Sequence, residues 1–342
     1  MEIDIFRNTE FINRQRELSY LTDRFSQTPS ELLWLFGPKS TGKTTMIEYL
    51  IEKKLPKDYW IKYINFRGLM ISNYGDFVSA FFEEKDEEES QKELNRKYKL
   101  GIFELEAKTL QKIKEKKKNL FNELIEELKK IDETKIIVID EIQVLEDIYF
   151  EEKILLREFL NFCVRLTKEL HLAHVVILSS NTIFINQIYN EAKLKVTSRF
   201  VEISHMEKST TFEYLEQKGI KEKELVWDYL GGSISQLQRM LREYKFHNSL
   251  KDYLESEVEL AKGEIIFFML KKCKVEEIKI FKNIAKEIVK NNEYIFNEED
   301  ENKDKIMRVL EKFAEIEFIF YNPLNNKITA NNRLYYKAFE RL

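Results

Sequence analysis

Residues 37–44 read Gly37-Pro38-Lys39-Ser40-Thr41-Gly42-Lys43-Thr44, with two glycines, a lysine and a hydroxyl at set intervals. Each type suits one part of a phosphate chain. The glycines let the backbone turn its N–H groups inward around an anion. The Lys43 ammonium is expected to reach the β- and γ-phosphates, and the Thr44 hydroxyl to ligate Mg²⁺. A helix starting at this point turns its positive end toward the same anion. Every fixed position of GxxxxGK[ST] is met, in a chain with only 9 glycines. A chance match in such a chain is on the order of a few in a thousand. An apolar run, Leu32–Phe36, precedes the loop, and residues of helical spacing follow it, with Met46, Ile47, Leu50 and Ile51 on one face. The expected ligand is a nucleoside triphosphate with magnesium, contacted from Gly37 through Thr45. No NKxD-type guanine reader is present, so ATP is the expected nucleotide.

A second constellation lies about 100 residues downstream. Ile136-Ile137-Val138-Ile139 runs into Asp140-Glu141. In a parallel sheet the carboxyl ends of strands face the ligand crevice. Asp140 would therefore share the metal with Thr44, usually through a water. Glu141 would polarise the attacking water as general base. Four apolar residues and two acids are weak evidence alone and strong evidence behind a P-loop. A base beside the metal acid fits hydrolysis better than transfer to a small acceptor. Two further positions are candidates. Leu178-Ser179-Ser180-Asn181 ends another apolar run, and Asn181, or else Ser180, is placed to orient the water; the alternative is a plain strand-to-helix cap. Arg199, in Ser198-Arg199-Phe200, is either a surface arginine or a finger offered to the γ-phosphate of a neighbouring subunit.

These residues need strands to hold them. Leu32–Phe36, Tyr59–Phe66, Ile136–Ile139, Val175–Leu178 and Phe200–Ile203 read as buried strands alternating with helices, which means a parallel sheet covered on both faces. Residues 10–27 read as a charged amphipathic helix. Residues 83–130 form a highly charged insertion whose latter part, with Leu105, Leu110, Ile113, Leu120, Leu124 and Leu128, reads as a solvated helical hairpin. Beyond Glu207 the pattern is helical, broken by Gly231-Gly232. Near the end, Glu317–Tyr321 and Lys327–Thr329 flank an Asn-Pro-Leu-Asn-Asn turn, so helices followed by a β-hairpin suggest a winged helix. The expected division is an α/β P-loop ATPase domain over 1–205, a helical lid over 206–257 and a winged-helix-like domain over 258–342.

Composition narrows the class. With 342 residues, 43% of them hydrophobic, the chain can bury a full-size core plus smaller domains. A net charge of −4 excludes a histone-like nucleic-acid binder but permits a local basic patch. Cys163 and Cys273 are isolated and read as small apolar residues rather than a disulfide or metal site. The chain starts without a signal-type apolar run, and its apolar stretches are only strand-length. The expectation is a cytoplasmic protein with no membrane span.

Taken together, these motifs resemble the archaeal AAA+/STAND-type ATPases. The likeness starts at Phe11-Ile12-Asn13-Arg14-Gln15-Arg16-Glu17-Leu18, similar to that family's F-[IV]-[GN]-R-x-x-E-L segment. It continues through Gly37–Thr44, Ile136–Gln143, the polar end of the fourth strand and Arg199, and covers about the first 240 residues. The resemblance implies that Ile12 and Arg14 lie beside the adenine. It also implies that Gly231-Gly232 corresponds to the GGxP motif of the lid, although Ile234 stands at the proline position. Arg239 and Arg242 are the residues available for a lid sensor.

The leading expectation is an ATP-hydrolysing switch or assembly ATPase with a winged-helix effector end, slow unless self-assembly supplies Arg199. The alternatives are a DNA-handling ATPase of replication-initiator or transposition-regulator type, and a nucleotide-bound scaffold without turnover. Duplex DNA and a protein are both open as partners of the winged helix. Residues 258–342 carry 16 Lys/Arg against 15 Asp/Glu, a poor balance for phosphate neutralisation. The cluster Lys271, Lys272, Lys274, Lys279 and Lys282 is as well read as a solvated face. The aromatics from Phe267 to Phe339 read as core rather than as a base-stacking platform.

Overall fold

The computed structural model describes residues 3–12, 14–84, 103–116, 118–146, 148–150, 153–181, 183–185, 194–297 and 299–342. Asn13 and most of the first half of the charged insertion lie outside the described residues. The chain opens on a hairpin, β1 (Ile3–Phe6) and β2 (Thr9–Ile12), turned by Arg7 and Asn8, both at positive φ. Helix α1 follows over Gln15–Phe25. The helix expected over 10–27 therefore begins five residues late. Its first part is a strand, because the β1–β2 ladder satisfies that backbone.

Five parallel strands form the central sheet: β3 (Leu32–Phe36), β4 (Trp60–Asn65), β7 (Lys135–Asp140), β10 (His174–Ser179) and β11 (Ser198–Glu202). Their order is β11-β3-β10-β7-β4. All five residues of β3 are buried. Leu32, Trp34 and Phe36 feed one apolar layer, while Leu33 and Leu35 feed the layer on the opposite face. A strand buried on both faces must be apolar throughout, which is why LLWLF shows no alternation.

Helices α1 and α2 (Lys43–Tyr49) cover one face. The other face is covered by α3 (Tyr74–Ser79), the short strands β5 (Phe82–Glu84) and β6 (Phe103–Leu105), and helices α4 (Ala107–Lys114) and α5 (Leu120–Lys129). A small hairpin, β8 (Tyr149–Phe150) and β9 (Lys153–Ile154), then leads into α6 (Leu155–Val164) on that same face. The reading of 103–131 as a solvated hairpin is corrected here. Leu110, Ile113, Leu120, Leu124 and Leu128 are buried in the main core, and Leu105 sits in a strand. The charges on this segment solvate one side of helices that roof the sheet with the other.

Helices α7 (Lys208–Gln217), α8 (Lys223–Leu230), α9 (Ile234–Glu243) and α10 (Leu250–Lys272) come next. Then follow α11 (Val275–Asn291), β12 (Tyr294–Ile295), α12 (Lys303–Glu315), β13 (Ile319–Asn322), β14 (Lys327–Ala330) and α13 (Arg333–Phe339). The last three strands form an antiparallel sheet in the order β12-β14-β13. The expected border at 257/258 falls inside α10, and one apolar core joins helices α7–α9 to the C-terminal elements. Phe268, Phe318, Phe320, Tyr321 and Phe339 pack inward, as expected, but Phe267 is exposed. Cys163 is buried and both cysteines are free. Among the described residues, no helix is long and apolar enough to cross a membrane.

Candidate functional site

The P-loop connects the carboxyl end of β3 to the start of α2, with Gly37, Ser40 and Gly42 at positive φ. Lys43 is buried and folds back over the loop, where its Nζ donates to the carbonyls of Gly37 (2.9 Å) and Pro38 (2.8 Å). Burial pushes its pKa down to about 8, opposed by the carboxylates of Asp140, Glu141 and Glu317 and reinforced by Arg14. The Thr44 hydroxyl donates to Asp140 Oδ2 at 2.8 Å. Asp140 ends β7 and is buried. The fold thus brings together residues 96 positions apart, as the motif spacing anticipated. These two hard oxygens, beside a cradle where a side chain added at Gly42 would meet nothing, fit Mg²⁺ completed by phosphate and water.

Glu141 follows at positive φ and is already engaged. Its carboxylate makes a 2.9 Å ion pair with Arg67 Nη2 and accepts from the Gln143 side-chain amide. Tyr63 on β4 donates its hydroxyl to the same Asp140 oxygen at 3.0 Å. Neither Tyr63 nor Arg67 was anticipated. The only signal in the sequence is that both belong to the strand after the P-loop helix and its immediate exit, and that strand pairs with β7 so that Asn65 faces Asp140.

Asn181 leaves β10 between β3 and β7, the position expected for a water-orienting group. Its Oδ1 accepts from Phe184 N at 3.1 Å, so in this structure the side chain works as a cap. Ser180 follows Ser179, the buried last residue of β10. Arg199 lies inside β11, paired with Leu33, rather than ahead of the strand. It is exposed on the edge strand, toward the end away from the P-loop.

Beside the loop is a cleft of about 270 Å³ lined by Phe11, Ile12, Arg14, Ser40, Thr45 and, from the lid, Ile234 and Gln238. Ile12, Arg14 and Thr45 therefore meet next to the phosphate cradle, and Ile234 faces the cleft from the position where the resembled family has proline. Arg14 also ties the walls together. Its Nη2 donates to the carbonyls of Thr41 and Ser204, both at 2.7 Å, and its Nη1 pairs with Glu17. Of the lid arginines, Arg239 is held by Glu243 and Glu257.

The strap from Ile203 to Met206 links the sheet to helices α7–α9 and is gripped by a glycine from each side. A Cβ added at Gly37 would lie 2.3 Å from the Ile203 carbonyl oxygen, and one added at Gly232 would lie 1.9 Å from that of Met206. His205, on the strap, bonds the Asn331 carbonyl through Nε2 at 2.8 Å. The C-terminal elements reach the loop as well. Glu317, at positive φ ahead of β13, pairs with Lys39, Asn322 donates to Glu202, and Phe320 stacks with Phe36.

Residues 11–240 match the model of a family described as an ATPase domain predominantly from Archaea. An ATP-binding protein of Pyrococcus abyssi is 32% identical over 339 residues, spanning 97% of this chain and 92% of its own. One from Methanocaldococcus jannaschii is 29% identical over 356 residues, spanning 97% and 96%. Among solved structures, the Walker-type ATPase of Pyrococcus abyssi aligns with a TM-score of 0.66 at 16% identity, over 99% of both chains. The ORC2 protein of Aeropyrum pernix aligns with a TM-score of 0.50 at 13% identity, over 96% and 94%. At such identities these two structures share the fold alone. With the family model matching well over half of its length, this chain belongs to the archaeal ATPase-domain family.

Proposed function

We propose that the protein is a Mg-dependent ATP switch, hydrolysing ATP at the P-loop and reporting the nucleotide state to its C-terminal winged helix. The observation that supports this reading is the Glu317–Lys39 ion pair, which brings a C-terminal carboxylate to the loop that holds phosphate. A triphosphate competes for the same lysine and repels the same carboxylate, so nucleotide and docked hairpin are electrostatically linked. Lys43 exchanges its two backbone carbonyl partners for phosphate oxygens. Thr44 and Asp140 would hold magnesium, which would supply charge neutralisation to the phosphates. Glu141, once released from Arg67, takes a proton from the water whose oxygen attacks the γ-phosphorus, and the bond from that phosphorus to the bridging oxygen breaks. Asn181 or Ser180 orients that water. Arg199 of another copy stabilises the developing charge, so turnover rises with assembly.

Phosphate release from Mg-ATP, followed across protein concentrations with and without duplex DNA, tests the reading. Wild type should turn over, while Lys43→Ala and Glu141→Gln should not. Turnover surviving Lys43→Ala would overturn the mechanism, and steep DNA stimulation would assign the winged helix to duplex DNA rather than to a protein. If Arg199→Ala leaves turnover unchanged at high protein concentration, the arginine is not a finger.

A further inference from the structure

Glu141 leaves β7 at positive φ, and the chain turns at once into a short 3-10 helix over Ile142–Leu145. That turn brings the Gln143 side chain back onto the carboxylate. Its Nε2 donates to Glu141 Oε2, the same oxygen that Arg67 Nη2 meets at 2.9 Å. Both partners share one oxygen, and Glu141 Oε1 makes no hydrogen bond among the described residues. The bond to the carboxylate also fixes which way the amide faces, because the reverse orientation would set its oxygen against a carboxylate oxygen. Gln143 Oε1 is therefore turned away from Oε2. It is buried and meets no donor among the described residues. A buried acceptor without a donor is costly, and native folds hold few of them. This one belongs to the residue that touches the proposed base.

We propose that Gln143 positions the attacking water, with Glu141 Oε1 and Gln143 Oε1 each accepting one of its hydrogens. The inference rests on the reading of Glu141 as general base. A water has two hydrogens and two lone pairs. In an in-line attack one lone pair goes to the γ-phosphorus and one hydrogen goes to the base. The second hydrogen needs an acceptor of its own, because a water held at one point rotates out of line. Asn181 Oδ1 is not that acceptor in this structure, since it accepts from Phe184 N at 3.1 Å. The Asn181 amide nitrogen is left to donate to the water's other lone pair. As the oxygen–phosphorus bond forms, Glu141 Oε1 takes one proton. The bond from phosphorus to the bridging oxygen breaks, and its electron pair leaves with ADP. The other hydrogen stays on the phosphate formed, still bonded to Gln143 Oε1. An amide suits this place because it donates to the base at one end and accepts at the other, without a charge that competes for the proton.

Steady-state phosphate release from Mg-ATP by the full chain at high protein concentration, from about pH 6 to about pH 9, tests this. Gln143→Met is close in shape and a far weaker acceptor. It should lower kcat by about a hundredfold, with KM and the affinity for a fluorescent non-hydrolysable ATP analogue unchanged. Its Tm should not fall, which separates lost chemistry from lost folding. The loss should persist at about pH 9. A residue that only lowered the pKa of Glu141 by donating to it would be dispensable there, because the base is then ionised without help. Gln143→Glu keeps an acceptor oxygen at the same reach and should run about tenfold faster than Gln143→Met at that pH. Three results overturn the proposal while leaving hydrolysis at the P-loop intact: Gln143→Met within about threefold of wild type, a loss that closes as the pH rises, or Gln143→Glu no faster than Gln143→Met. A wild-type chain that binds ATP without turnover overturns the hydrolysis reading and this proposal together.

Discussion

At the scale of single residues, two acids at the strand end meet different partners, and this separates their roles. Asp140 collects the hydroxyls of Thr44 and Tyr63, whereas Glu141 is held by Arg67 and Gln143. If Glu141 is the proposed base, the guanidinium bound to it makes it a poor proton acceptor, so Arg67→Ala should raise basal ATP turnover several-fold with little change in KM, as read by phosphate release. Tyr63 fixes the carboxylate that would hold the metal. Tyr63→Phe should therefore raise the half-saturating Mg²⁺ concentration by about tenfold, measured with a fluorescent nucleotide, and leave nucleotide binding without metal unchanged. The loop and the acid pair were readable in the sequence because their chemistry fixes spacing along the chain. Tyr63 and Arg67 were not, because they reach the site across a strand pair, 77 positions away in the case of Tyr63. Asn181 shows another limit, since one residue type at a strand end suits both a cap and a water ligand.

Among the elements, the buried runs were the most legible. Strands covered on both faces have to be apolar, and each of the five sheet strands was located to within a few residues. The opening hairpin escaped notice because its turn is Arg-Asn rather than a glycine pair, and β12 because it has only two residues. Strand β4 carries the clearest exception to apolar burial, Lys62, whose pKa is pushed down to about 8 by desolvation and only partly restored by Glu83. The unfolded chain keeps that proton up to the ordinary lysine value of 10.5. Below pH 8 the cost of burying the charge is fully present, and between pH 8 and 10.5 it is relieved, so this residue makes stability rise with pH across that window. Lys62→Met should stabilise the fold by about 2 kcal/mol at pH 7. That advantage should shrink by pH 10, as read by urea unfolding at both values.

For the whole molecule, the P-loop and the cleft beside it sit where the sheet and helix α9 meet, with the C-terminal elements reaching the loop through Glu317, and no segment of sequence announced this convergence. The lid and C-terminal helices were legible as separate patterns, yet they share one apolar core and one continuous helix across the expected border. If the Lys39–Glu317 pair couples the loop to the hairpin, a non-hydrolysable ATP analogue should speed amide exchange over residues 319–330. Glu317→Gln should show that faster exchange without nucleotide, whereas equal exchange in all states would disconnect the two.

The strap between Ile203 and Met206 carries an implication for descent. Gly37 belongs to the phosphate loop, but its missing side chain also makes room for the strap, as does that of Gly232 from the lid. A lineage that stopped binding nucleotide would be free to lose Lys43, Thr44 and Glu141, yet either glycine could change only by displacing the strap. Degenerate descendants of such a chain should therefore keep Gly37 and Gly232 after the rest of the motif has decayed, leaving a fossil of the lid's seat rather than of its chemistry.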